Sequence, residues 1–169
     1  PNDIRKKITK NTRAISMIHW GGNPCDITEI NKIAQEYNLM TIEDGAHSMG
    51  AAHKGRNLGN DSDFLMYSLQ AIKHITSIDG GCLITKNQKH YERAKLLRWY
   101  GIDREPKTKE ALDLRCELDV AEAGYKFHMN DVCATVGNEN LQHLSWIIER
   151  HRENAKFYDE AFAENDKIK

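Results

Sequence analysis

Between Thr12 and Asp44 the pattern of apolar residues changes period twice, and this constrains the fold more than any other feature of the chain. "TRAISMIH" (Thr12–His19) is an apolar run of strand length, and "WGGNPCD" breaks it with glycines and a proline. "DITEINKIAQEYN" follows, with Ile27, Ile30, Ile33 and Ala34 at helical spacing. Asp26 stands at its N-cap, Glu29 completes a capping-box arrangement, and Asn38 can close the helix in the left-handed conformation. "LMTIED" (Leu39–Asp44) then reads as a buried strand ending on two carboxylates. Strand, helix and strand joined by short turns form a βαβ unit, which requires parallel pairing.

The rest of the chain extends this α/β reading. The opening "PNDIRKKITKN" is already helical in pattern, and both ends read as cuts in a longer protein. "GAAHKGRNLGN" predicts a small hairpin or irregular excursion. "DFLMYSL" is a third apolar strand, ending near Ser68, and "GGCLITK" (Gly80–Lys86) a fourth. "NQKHYERAKLLRWYG" predicts a helix capped by Asn87, ended by Gly101 and burying Ala94, Leu96 and Leu97. Residues 102–124 are polar and read as a long functional or interface loop. From Asn130 to about Phe162 the pattern is helical, two helices or one broken, with Val132, Val136, Leu141, Leu144, Ile147 and Ile148 facing inward. The expected fold is α/β, a mostly parallel sheet flanked by helices, and 169 residues with 40% hydrophobic content suffice for its core.

Composition narrows the function. Lys and Arg total 24 against 25 Asp and Glu, a balance that points neither to nucleic acid nor to an anionic membrane. No stretch reads as a transmembrane span or a signal peptide. The eight histidines form no HExxH or other metal-ligand spacing, so no metal is expected. Cys25, Cys82, Cys116 and Cys133 are scattered, three of them in apolar or helical contexts, as reduced packing residues of a cytoplasmic protein are.

In open α/β sheets, ligands gather at the carboxyl ends of the strands. Asp44 and Ser68 fall at such ends, and Lys73 follows five residues after Ser68 in "YSLQAIKHITSIDGG". Taken singly, Lys73 is a solvated lysine, Asp44 a cap or ion-pair partner, and Ser68 a strand-end hydroxyl. Taken together they admit a chemical reading. A lysine in a partly apolar site can lose its proton and condense with a carbonyl. An aspartate can keep a ring nitrogen protonated, and pyridoxal phosphate needs both partners. A serine among backbone N–H groups can hold a phosphate. The small residues Thr76, Ser77, Gly80 and Gly81 leave room for a flat ligand.

The stretch "TIEDGAHSMGAAHKGRNLGNDSDFLMYSLQAIKHITSIDGG" resembles the core of the DegT/StrS-type sugar aminotransferases, pyridoxal 5'-phosphate enzymes of fold type I. The E-D-x-A-[QH] segment, the strand ending in serine and the lysine five residues on follow in that family's order, and the likeness continues through "LLRWYGI" and "GYKFHMNDVCATVGNENLQHL". The resemblance implies that Asp44 contacts the pyridine nitrogen, His47 the region of the ring oxygen, Ser68 the phosphate, and that Lys73 is the Schiff-base lysine. Where the family commonly reads G-Y-N-x-R, this chain has Lys126 at the asparagine that reaches a neighbouring subunit's cofactor phosphate, and His128 replaces the arginine. His74 follows Lys73, and a branch of the family uses histidine in place of the lysine to run a dehydration. The spacing from Ser68 aligns Lys73, not His74, and His74 reads as a packing neighbour.

The resemblance thus implies a homodimeric aminotransferase that passes an amino group from glutamate to a nucleotide-linked keto-sugar, in surface polysaccharide or amino-sugar biosynthesis. Residues 1–169 would form part of its large domain, without the N-terminal phosphate-cradling segment and the C-terminal small domain. The rival readings are a non-catalytic regulatory member, a sugar dehydratase of the same family, and a structural α/β module with an incidental lysine.

Overall fold

The computed structural model describes residues 1–103 and 120–167. A short helix, α1 (Asn2–Lys7), leads into strand β1 (Ala14–Ile18). Helix α2 (Ile27–Glu36) begins where the Asp26 side chain accepts the Glu29 backbone N–H at 3.2 Å, and Asn38 stands past its end at φ 52°. Strand β2 (Met40–Asp44) then returns parallel to β1, with Ala14 opposite Met40 and Ile18 opposite Asp44. The βαβ unit is formed as its periodicity requires.

The glycine-rich excursion is a two-stranded hairpin, β3 (Ala52–His53) against β4 (Arg56–Asn57), turned at Lys54 and Gly55 with φ of 51° and 77°. Strand β5 (Phe64–Ser68) pairs parallel with β2, and β6 (Gly81–Ile84) pairs antiparallel with β5. The sheet order is β1-β2-β5-β6, so it is mainly parallel with one antiparallel edge. That reversal follows from the connection. A parallel return needs a crossover, whereas the loop from Leu69 to Gly80 carries no helix and brings Gly81 back opposite Ser68.

Helix α2 covers one face of the sheet. Its Ile27, Ile30, Ile33 and Ala34 pack with Ile15, Met17 and Leu65 as the buried core. Because side chains alternate along a strand, the other face carries Ile18, Asp44, Met66 and Leu83 in register, with Ser68 two residues beyond Met66. Ile18 and Leu83 are each 55% exposed there. Asp44 and Ser68 therefore share the open face.

Helix α3 (Gln88–Leu97) starts at Asn87, whose side chain accepts the Lys89 and His90 N–H groups. It stops at Leu97, short of the expected Gly101, because Trp99 leaves the helix to bridge antiparallel with Lys126. Ala94, Leu96 and Leu97 are half-buried rather than buried. The helical tail is two helices, α4 (Asp131–Leu141) and α5 (Leu144–Phe162). Of the positions expected to face inward, Val136, Leu144, Ile147 and Ile148 are half-buried, but Val132 is 70% and Leu141 52% exposed. Cys82 is exposed on β6, against the expectation for an apolar strand. Most of the predicted 102–124 loop, with Cys116, lies outside the described residues.

Candidate active site

Two backbone hydrogen bonds prolong the ladders past the strand ends: His19 N–H to the Asp44 carbonyl (3.0 Å) and Gly45 N–H to the Met66 carbonyl (2.8 Å). They fix the turn that follows β2, where Asp44 Oδ1 accepts the Ala46 N–H at 3.0 Å. Behind Asp44, on the covered face, Glu43 is fully buried and accepts a hydrogen bond from His19 Nε2–H at 2.9 Å. The direction is set by the second ring nitrogen, since His19 Nδ1 accepts the Cys25 N–H at 3.1 Å. Glu43 Oε1 also accepts the Gly59 N–H at 3.1 Å, so the buried carboxylate is well satisfied. Burial pushes the Cys25 and Tyr67 groups up, and in both cases the Glu43 charge adds to the effect. This buried pair joins the ends of β1 and β2, where the sequence shows only two adjacent carboxylates.

His47 is half-buried in the same turn. Its Nδ1 accepts the Gly21 N–H at 3.4 Å, which leaves Nε2 as the donor, and its ring meets that of Trp20 at 61° with centroids 5.0 Å apart.

Lys73 lies in the loop joining β5 to β6, half-buried, its N–H bonded to the Gln70 carbonyl at 3.0 Å. The loop is tied at several points. Ser68 Oγ accepts the Gln70 N–H (3.3 Å), Ser77 N–H reaches back to the Leu69 carbonyl (2.8 Å), and the buried Ser77 hydroxyl donates to the Asp79 carbonyl (2.7 Å). From α4, Asn140 Nδ2 donates to the Thr76 carbonyl at 2.9 Å. Glycine is required where the loop rejoins the sheet, since a Cβ at Gly81 would lie 2.7 Å from the Tyr67 carbonyl oxygen.

His74 links these segments. Its ring packs edge-on against His151 of α5 at 5.5 Å, and its pKa is lowered by burial first and then by the charges of His151, His47 and Lys73. The turn after β2 and the loop after β5 thus converge. Lys126 is placed differently: it is exposed, bridged to Trp99, and flanked by the flat-stacked rings of Tyr125 and Phe127. Among the described residues no hydrogen bond or ion pair joins it to Asp44, His47, Ser68 or Lys73.

Asp44 and Ser68 supply a carboxylate and a hydroxyl on the open face, the anchored loop after β5 carries the primary amine of Lys73, and the turn after β2 carries the His47 imidazole with Nε2 as its donor. That set fits pyridoxal phosphate, which presents a ring nitrogen, a phosphate, an aldehyde and a ring oxygen.

An open, mainly parallel α/β sheet with such a loop at its carboxyl end is the fold of type I pyridoxal-phosphate transferases. The sugar aminotransferase CalS13 from Micromonospora echinospora superposes with TM-score 0.84 at 35% identity, covering 98% of this chain and 45% of that one. AtS13 from Actinomadura melliaura superposes at 0.85 with 40% identity, covering 94% and 43%. The sequence pattern of the DegT/DnrJ/EryC1/StrS aminotransferase family matches residues 1–169, and the chain belongs to that family. A UDP-4-amino-4,6-dideoxy-N-acetyl-beta-L-altrosamine transaminase of Campylobacter jejuni is 32% identical over 96% of this chain and 42% of its own length. The chain spans about two fifths of the length of the curated relatives it matches.

Proposed function

We propose that this chain forms the cofactor-holding core of a pyridoxal-phosphate-dependent aminotransferase, which passes an amino group from glutamate to a nucleotide-linked keto-sugar. Amino-sugar or surface-polysaccharide biosynthesis uses such products, and the reading places the enzyme in the cytoplasm, where the free thiols Cys25 and Cys133 fit a reducing compartment. The observation that carries it is the common open face of Asp44 and Ser68, closed at one end by the anchored Lys73 loop.

Bound there, pyridoxal phosphate supplies an electron sink for charge developing at the carbon that bears the transferred amine. With the cofactor bound, Lys73 Nζ would be the residue that holds its aldehyde end, and as a free amine it would serve as the base that moves the proton at the donor's Cα. The Asp44 carboxylate, held by the Ala46 N–H, would keep the ring nitrogen protonated, and a group already fixed in place would cost no reorganisation during the reaction. Ser68 and neighbouring backbone N–H groups would bind the phosphate, and His47 Nε2 would donate to the ring oxygen. Lys126 would serve the site of a second copy as a point charge on the phosphate. Its exposure, between the exposed and mutually stacked Tyr125 and Phe127, supports a homodimer that covers this segment.

The test is made on the full-length protein with pyridoxal phosphate. It should develop visible absorbance that borohydride abolishes, leaving the reduced cofactor on Lys73 by peptide mass. Glutamate should bleach the band, and nucleotide-linked 4-keto sugars should restore it with formation of an amino-sugar. A tag on any other residue, or none, removes the assignment. A tagged protein inert to glutamate and keto-sugars makes it a regulatory member.

A further inference from the structure

The turn after β1 does something that neither the fold nor the cofactor requires. Trp20 is 75% exposed, although the backbone on both sides of it is tied by hydrogen bonds. The His19 side chain is locked into the buried pair with Glu43, and its N–H is bonded to the Asp44 carbonyl. Gly22 and Asn23 donate to the His19 and Trp20 carbonyls, both at 3.1 Å, and Gly21 donates to His47 Nδ1. Gly21 and Gly22 sit at φ of 61° and 85°, and a Cβ on Gly22 would come within 3.1 Å of the His47 carbonyl oxygen. The turn is therefore moulded onto His47, with the indole and imidazole rings meeting at 61°, their centroids 5.0 Å apart, and the rest of the indole open. Tryptophan is a large apolar group that proteins usually cover, and holding one rigidly in the open favours a partner that stacks on it.

We propose that Trp20 is a substrate-contacting residue whose indole carries the apolar face of the sugar ring of a nucleotide-linked sugar. The inference rests on the reading of the site given above. A pyranose has a face of C–H groups and an edge of hydroxyls. One flat apolar wall beside the His47 imidazole matches that division, because stacking removes the C–H face from water while the hydroxyls keep polar partners. The turn is preformed, so little ordering cost opposes the contact.

The experiment uses the full-length protein loaded with pyridoxal phosphate. UDP-N-acetylglucosamine serves as a probe that lacks a keto group and binds without turnover. Tryptophan emission should change saturably with this probe and hardly at all with UDP alone, and the response should vanish in Trp20→Phe. With glutamate and a UDP-linked 4-keto sugar, Trp20→Ala should raise KM about tenfold while kcat changes less than about threefold, as loss of a binding contact does. Unchanged melting temperature would exclude a folding effect. An equal emission response in Trp20→Phe, a full response to UDP alone, or an unchanged KM in Trp20→Ala would each overturn the proposal. The site reading fails separately, by the lack of a borohydride tag on Lys73, and emission with the non-reacting probe is read independently of turnover.

Discussion

His74 shows how much a single residue's behaviour depends on neighbours remote in the chain. It stands next to Lys73, packs on His151 of α5, and feels the charges of His47 and Lys73. All of these favour its neutral form, with burial the largest influence. Its folded pKa lies below the usual histidine value of about 6.5. A depressed histidine makes protonation oppose folding, so its contribution is complete above about pH 6.5 and is lost as pH falls toward the folded pKa. The His74 ring should therefore titrate below about 6.5 by NMR. The thermal stability of His74→Asn should fall less than that of the native protein between about pH 6.5 and pH 5. A His74 midpoint at or above the ordinary value would mean that the ring is not buried against α5 and the neighbouring charges in solution. The sequence shows that His74 adjoins Lys73; it holds no sign of His151, because that contact spans 77 positions of chain. Likewise "TIED" displays two carboxylates, and only the pleat assigns Glu43 to the buried pair and Asp44 to the open face.

Among the elements, those whose local signals agree with their surroundings formed as read. Asp26, Asn87 and Asn130 each cap a helix by accepting N–H groups of the first turn. Helix α2 buries its apolar stripe because a sheet face lies beneath it. Helices α4 and α5 have their own stripes, yet Val132 and Leu141 are exposed, since helical spacing announces a face but not what covers it. What α4 does reach is the Lys73 loop, through Asn140. Loss of one such hydrogen bond costs about 1 kcal/mol, so Asn140→Ala should weaken pyridoxal phosphate binding about fivefold in an absorbance titration. An unaltered affinity would show that the Ser77 bonds hold the loop without help from α4.

At the scale of the molecule, apolar burial is lopsided. The buried core lies between α2 and the sheet, whereas α3, α4 and α5 contribute no fully buried residue. Large apolar side chains remain open, among them Ile72, Phe127, Trp146 and Phe157. If the Tyr125–Phe127 segment lies in the proposed homodimer interface, Phe127→Glu should move the full-length protein toward monomer in sedimentation velocity. It should also loosen the cofactor through loss of the partner's Lys126. A dimer unaffected by that charge would put the interface elsewhere.

Periodicity, capping residues and glycine placement determined the βαβ unit, the strand ends at Asp44 and Ser68, and the position of Lys73 just beyond them, because each depends on a few neighbouring residues. The antiparallel return of β6, the early end of α3, the burial of His19 with Glu43 and the pinning of Trp20 on His47 were decided only by tertiary structure. Each depends on which distant segment occupies the adjoining space, and chain order alone does not encode that occupancy.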